Sequence, residues 1–173
     1  NDVEAIRQYV IKTRGFSERN VFVVRDATKA GLEAYFGSRD FPRGRLFNAV
    51  RSGKSDVFVY FSGHGVPGED KTGYLFPIDG DPTQSELTGY SIQTLIDNLA
   101  KVPARSLIVA LDTCFSGVSQ AGALVTAASP IYLKAKIPSA GPNSVILTAA
   151  TGSQISSWDT GAQLGLFTRH LLE

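Results

Sequence analysis

Val59-Tyr60-Phe61-Ser62-Gly63-His64-Gly65 and Ala110-Leu111-Asp112-Thr113-Cys114-Phe115-Ser116-Gly117 are the two stretches on which the reading of this chain turns. Each is an apolar run that ends in a turn of small residues, and each turn holds one reactive side chain. The first supplies an imidazole. The second, 50 positions on, supplies a thiol. A thiol becomes a strong nucleophile when a base takes its proton, and an imidazole is suited to that near neutral pH. Cys114 is the only cysteine in the chain, and His64 is one of two histidines. A free cysteine is by default a small buried hydrophobe. The flanks argue against that default here, because a core strand seldom closes on Asp-Thr-Cys-Phe-Ser-Gly unless its end opens on a cleft. The glycines on both sides of His64 point the same way, since they allow close backbone approach. His170 stands at a helical position beside Arg169 with no glycine frame, and reads as structural.

Working outward, both motifs follow buried strands. Residues 56–61 and 106–111 are short apolar runs without helical period, as are 20–25 and 144–149. Between them lie helical patterns. Val3, Ile6 and Val10 fall on one face of a first helix that Asp2 can cap and Gly15 can close. Residues 28–35 form a short helix capped by Thr28, and 42–51 another, with Pro42 near its start and Gly53 after its end. Residues 73–78 read as a hairpin arm. Ser91 caps an amphipathic helix with Ile92, Leu95, Ile96 and Leu99 on one face, and 164–172 begin a last helix. Strands alternating with helices give an α/β fold, a mostly parallel sheet with helices on both faces. In such sheets reactive groups gather at the carboxyl ends of strands, and both His64 and Cys114 sit just past such an end. Residues 117–143 are rich in Ala, Ser, Gly and Pro and are expected to form a mobile intersegment loop.

Composition narrows the function. The 173 residues, 43% of them apolar, suit one globular domain. A net charge of +1 without a basic stripe gives no footprint for nucleic acid, and no apolar run is long enough for a membrane span. One cysteine excludes an internal disulfide and a Cys/His zinc cluster. The chain has no Met, starts as a helix starts and stops on Leu171-Leu172-Glu173, so it is expected to be a piece of a longer protein, truncated at both ends. A cytoplasmic location is the expectation.

The segments Tyr60-Phe61-Ser62-Gly63-His64-Gly65 and Asp112-Thr113-Cys114-Phe115-Ser116-Gly117 resemble the metacaspases and bacterial caspase-like proteases (orthocaspases), of the caspase clan CD, whose motifs read Y-S-G-H-G and D-x-C-x-S-G. A histidine some 50 residues before the cysteine is the spacing of that class. The resemblance runs over most of the chain. Asn1-Asp2 is similar to the family's N-D after its first strand, Tyr74-Leu75-Phe76-Pro77-Ile78-Asp79 to its Y-L-x-P-x-D, and Gly165-Leu166-Phe167-Thr168 to the start of its late helix. The two catalytic motifs are specific in combination, and the flanking ones are weak singly.

The resemblance implies a caspase-like fold over residues 1–173 that lacks the family's first, central strand. That strand would come from a neighbouring or processed segment. It also implies a cysteine endopeptidase working through a dyad of His64 and Cys114, with the Gly65 and Cys114 amides as oxyanion donors. Asp26, Asp79 and Asp81 are better read as solvated loop carboxylates than as a third member. In the family pattern Asp2, Ser62 and Asp112 line the specificity pocket. Two carboxylates and a hydroxyl suit a Lys or Arg side chain and repel an acidic one; Asp2, at the very start of the chain, has a helix cap as its other reading. Ser156 and Trp158 would line the cleft, although Trp158 could equally pack on its own loop. Lys134 and Lys136 in the loop are expected self-cleavage sites, Lys134 first because Pro138 stiffens the chain beyond Lys136. Calcium-dependent relatives carry acids where Leu87-Thr88-Gly89-Tyr90 and Val118-Ser119-Gln120-Ala121 stand here, so no metal site and no cofactor are expected, with at most weak ion binding at Asp70, Asp79 and Asp81. The alternative is a non-catalytic caspase-like module that binds peptides or partners within a larger protein. A Cys/His protease of a neighbouring clan is the rival enzyme.

Overall fold

The computed structural model describes residues 1–68, 72–113, 118–119, 122–123, 142–149, 158–159 and 163–173. Its centre is a three-stranded parallel sheet in the order β1 (Asp56–Ser62), β5 (Ser106–Asp112), β8 (Ser144–Thr148). Alternation along the strands sends Val57 and Val59 of β1, with Leu107, Val109 and Leu111 of β5, to one face. There they meet Leu32 of α2 (Lys29–Phe36) and Ile92, Leu95, Ile96 and Leu99 of α5 (Ile92–Leu99) in the main core. The other face carries α1 (Asp2–Lys12), which packs on β1 and on the last helix, α6 (Leu166–Leu172). Helices therefore cover both faces, as the alternation of elements requires.

Local signals account for most boundaries. The Thr28 hydroxyl accepts from the Gly31 amide at the start of α2, and Ser91 does the same for Thr94 in α5. The four apolar positions expected on one face of α5 are all buried. Between the segments that carry His64 and Cys114 in the sequence lies a small antiparallel sheet of β2 (Gly65–Pro67), β3 (Gly73–Leu75) and β4 (Tyr90–Ser91). The expected hairpin arm is thus the middle strand of three, with its partner beginning immediately after His64. A short helix, α4 (Ser85–Thr88), connects β3 to β4.

Three expectations change. Residues 20–25 are not a buried strand. A 3-10 turn spans Glu18–Asn20, Val21 is extended but unpaired, and Phe22, Val23 and Val24 are 61%, 37% and 40% exposed. The apolar pattern reports a strand's taste for burial, but a strand also needs a hydrogen-bonding neighbour, and among the described residues none lies beside this one. The helix expected over 42–51 is only α3, Arg45–Ala49. It starts at Gly44, where a Cβ would stand 2.4 Å from the Tyr35 carbonyl oxygen, so the chain must turn there rather than at Pro42. Asp2 does not cap α1. Asn1 holds that position, and Asp2 is buried inside the first turn. Within the expected loop, Val118–Ser119 (β6) and Gly122–Ala123 (β7) form a small antiparallel pair, while 124–141 lie outside the described residues.

The two kinds of apolar position should respond differently to mutation. Leu95 is fully buried, so Leu95→Ala should lower the unfolding free energy by about 2–5 kcal/mol. Phe22→Ser, at an exposed position, should change it by about 0.5 kcal/mol or less. Denaturant titration of the two variants checks both. A large loss for Phe22→Ser would mean that the 21–24 segment is covered.

Candidate active site

The register of β1 on β5 builds the site. In-register parallel pairing sets Ser62 opposite Asp112, so both strands end at one level. The chain then breaks from the sheet at Gly63, whose amide donates to the Asp112 carbonyl at 3.2 Å. His64 follows. Its carbonyl accepts from the Phe76 amide at 2.9 Å, which fastens the turn to the end of β3. The imidazole is exposed. Gly65 pairs with Leu75. The Phe76-to-His64 bond flanks that pair, and antiparallel ladders alternate bonded with non-bonded pairs, so Gly65 and Leu75 form a non-bonded pair. The Gly65 amide is therefore not taken up by the ladder to β3.

Behind this turn two carboxylates are buried side by side. Asp2 is 5% exposed and Asp112 is 7% exposed. Asp2 reaches the site from the first turn of α1. Its Oδ2 accepts from the Ser62 hydroxyl at 3.1 Å, and its Oδ1 accepts from the Gly165 amide at 3.1 Å. Asp112 comes from the last position of β5, and its Oδ2 accepts from the Thr168 hydroxyl at 2.5 Å. Gly165 belongs to β10 (Leu164–Gly165), which pairs with β9 (Trp158–Asp159). A Cβ at Gly165 would stand 2.5 Å from Asp112 Oδ2 and 3.4 Å from Asp2 Oδ2, so only glycine lets the two acids close in here. Burial pushes the Asp112 carboxyl above the usual carboxylate range, and the nearby Asp2 charge adds to this. The hydrogen bonds from Thr168 pull against it but do not offset it. No Lys or Arg pairs with either acid among the described residues.

The structure thus brings Asp2, Ser62, His64, Gly65 and Asp112 to one end of the sheet. Cys114, Ser156, Lys134 and Lys136 lie outside the described residues, as does Asp70. Trp158 is placed by its backbone, opposite Gly165 in the β9–β10 pair. Asp79 and Asp81 are engaged elsewhere. Asp79 accepts from the Lys29 amide at the start of α2, and Asp81 from the Thr83 amide and hydroxyl in a 3-10 turn. His170 is exposed and bonded to Glu173. Among the described residues no group of three or more His, Cys, Asp or Glu could hold a metal, and no helix is long and apolar enough to cross a membrane. Sequence reasoning missed Tyr60, Gly165 and Thr168 as parts of the site. Strand alternation was the available signal for Tyr60, which shares a face with Ser62. Gly165 and Thr168 stood in a motif that could be read only as the start of a helix.

The model of the caspase-domain family, Peptidase_C14, matches residues 1–173. The chain belongs to that family, whose members are cysteine peptidases, and its fold is caspase-like. No curated protein matches it.

The buried acids should make the free protein pH-sensitive. A carboxyl with a raised folded-state pKa keeps its proton longer when folded, so its ionisation destabilises the fold. Stability therefore falls as pH rises from the ordinary carboxylate range through the raised value of Asp112. Asp112→Asn keeps the acceptor for Thr168 and removes the charge. It should flatten that limb and raise Tm at neutral pH by roughly 2–4 °C, equivalent to about 1 kcal/mol. Calorimetry across the pH range checks this, and a lower Tm for Asp112→Asn at neutral pH would show the ionised acid to be stabilising.

Proposed function

We propose that the protein is an endopeptidase that cuts after Arg or Lys through a dyad of Cys114 and His64. The observation that carries the specificity is the pair of buried carboxylates, Asp2 and Asp112, without a described cationic partner. Two like charges held out of water favour a ligand that brings opposite charge. A guanidinium or ammonium neutralises both, and Ser62 adds a hydroxyl acceptor. An acidic side chain would add a third negative charge. The pocket lies beside the His64 turn, so a residue seated in it would place the following peptide bond near the imidazole.

In this mechanism His64 takes the proton of the Cys114 thiol, or pairs with the thiolate, and the sulfur attacks the carbonyl carbon. The oxygen, now negative, is held by the amides of Gly65 and Cys114. The availability of the Gly65 amide supports that role, and each such donor contributes roughly 10²–10³ in rate. The imidazolium then protonates the leaving amine, and water releases the acyl group. Ser156 and Trp158 would line the cleft that receives the peptide. The backbone pairing of Trp158 with Gly165, whose amide donates to Asp2, supports that role. The substrate is a peptide or protein with Arg or Lys before the cut, and the chain's own loop, at Lys134 and then Lys136, meets that description.

Fluorogenic peptides that differ only in the residue before the cut test the specificity. Arg and Lys substrates should be cleaved and Asp substrates left intact. Asp112→Ala should lower kcat/KM on an Arg substrate by about 2–5 kcal/mol, because a buried cation loses its partner. Cys114→Ala should abolish turnover. Preference for acidic or apolar residues would overturn the pocket assignment. Absence of any cleavage by the wild-type protein, with intact peptide binding, would favour a non-catalytic module.

Self-processing is checked by intact mass. Wild-type protein should be clipped after Lys134 on incubation, with Lys136 second, while Cys114→Ala stays whole. Equal clipping of both proteins, or of neither, would rule it out.

A further inference from the structure

Thr168 has a place in the site that the dyad does not use. Its side chain is fully buried. Its hydroxyl lies 2.5 Å from Asp112 Oδ2 and 2.5 Å from the Tyr60 hydroxyl. Three elements meet at that oxygen: β5 through Asp112, β1 through Tyr60 and α6 through Thr168 itself. A hydroxyl has one proton to donate. When Asp112 is ionised it can only accept, so Thr168 donates to Asp112 and Tyr60 must donate to Thr168. Burial pushes the Tyr60 phenol well above its ordinary value, so it keeps its proton at neutral pH. The hydrogen bonds then run in one direction, from Tyr60 through Thr168 to Asp112, and among the described residues it is Oδ2 that this chain of bonds ties down. Asp2 is held similarly, with one oxygen taken by Ser62 and the other by Gly165.

We propose that Thr168, backed by Tyr60, is a positioning residue for specificity: it fixes the Asp112 carboxylate with Oδ1 left for the basic side chain and stabilises its ionised form. The proposal rests on the Arg/Lys reading of the pocket. Among the described residues, the titratable groups facing Asp112 are Asp2 from α1 and Tyr60 from β1. From α6 come only the hydroxyl and amide of Thr168, since Arg169 and His170 are exposed and bonded to Glu173. The neighbouring strand β8 carries no titratable side chain, and the exposed His64 lies past the end of β1. Removing the Thr168 hydroxyl therefore takes away the largest of the hydrogen bonds that oppose burial and the Asp2 charge, and both of these hold the proton on Asp112.

The test pairs Thr168→Val with Thr168→Ser in the full chain. The carboxyl carbon of Asp112, labelled with carbon-13, is followed by NMR as pH is varied. Thr168→Val should move its titration midpoint up by about one unit, and Thr168→Ser should restore it. On an Arg substrate, Thr168→Val should raise KM roughly tenfold or more and carry the acid limb of kcat/KM to higher pH, again with recovery in Thr168→Ser. If Thr168→Val does not fold, Tyr60→Phe serves in its place, with a smaller shift in the same direction. An unmoved midpoint, or a serine variant that behaves like valine, overturns the proposal. A midpoint that moves as expected in a protein that does not cut after Arg or Lys supports the hydrogen-bond role and overturns the Arg/Lys reading alone.

Discussion

The in-register parallel pairing of β1 with β5 is the constraint on which the site depends. It sets Ser62 against Asp112 and so brings the His64 turn level with the segment that leads to Cys114. A slip of one residue would turn every side chain of β1 to the opposite face. Val57 and Val59 would leave the core, and Tyr60 would leave Thr168. The hydrophobic face thus enforces the register, and the register delivers the chemistry. The Gly63-to-Asp112 and Phe76-to-His64 backbone bonds then fix the turn itself.

The two buried acids, Asp2 and Asp112, show the reverse relation, in which a local arrangement works against stability. Two buried carboxylates repel each other and resist leaving water. The fold offsets part of this with Ser62, the Gly165 amide and Thr168, each donating to a carboxylate oxygen. No described cation neutralises the rest. What remains of the electrostatic cost in the free protein is what a basic side chain would relieve on binding. Elements far apart in sequence contribute to this cluster. Helix α1 supplies Asp2, β1 supplies Ser62 and Tyr60, β5 supplies Asp112, and the β10–α6 junction supplies Gly165 and Thr168.

Much of this could be read from the sequence because the signals were local. Strands β1, β5 and β8, the caps at Thr28 and Ser91, and the apolar face of α5 each follow from a few adjacent residues. The grouping of Asp2, Ser62 and Asp112 came from a resemblance to a family, and the structure brings those three together. Failures arose where the decisive partner lay outside the local pattern. Residues 20–25 have the composition of a strand but no described neighbour to pair with. Pro42 marked a helix start that the tight contact of Gly44 on Tyr35 moves along the chain. Thr168 acts through a hydroxyl that looks ordinary until helix α6 sets it between Tyr60 and Asp112.

The most direct measurement of the central claim is a crystal structure of the protein inactivated by a peptide chloromethyl ketone ending in Arg. The predicted result is a covalent bond from the inhibitor carbon to Cys114 Sγ, with the guanidinium seated between Asp2 and Asp112 and bonded to Asp112 Oδ1. A guanidinium left in solvent with the two acids still facing each other, or an adduct on any residue other than Cys114, would contradict it.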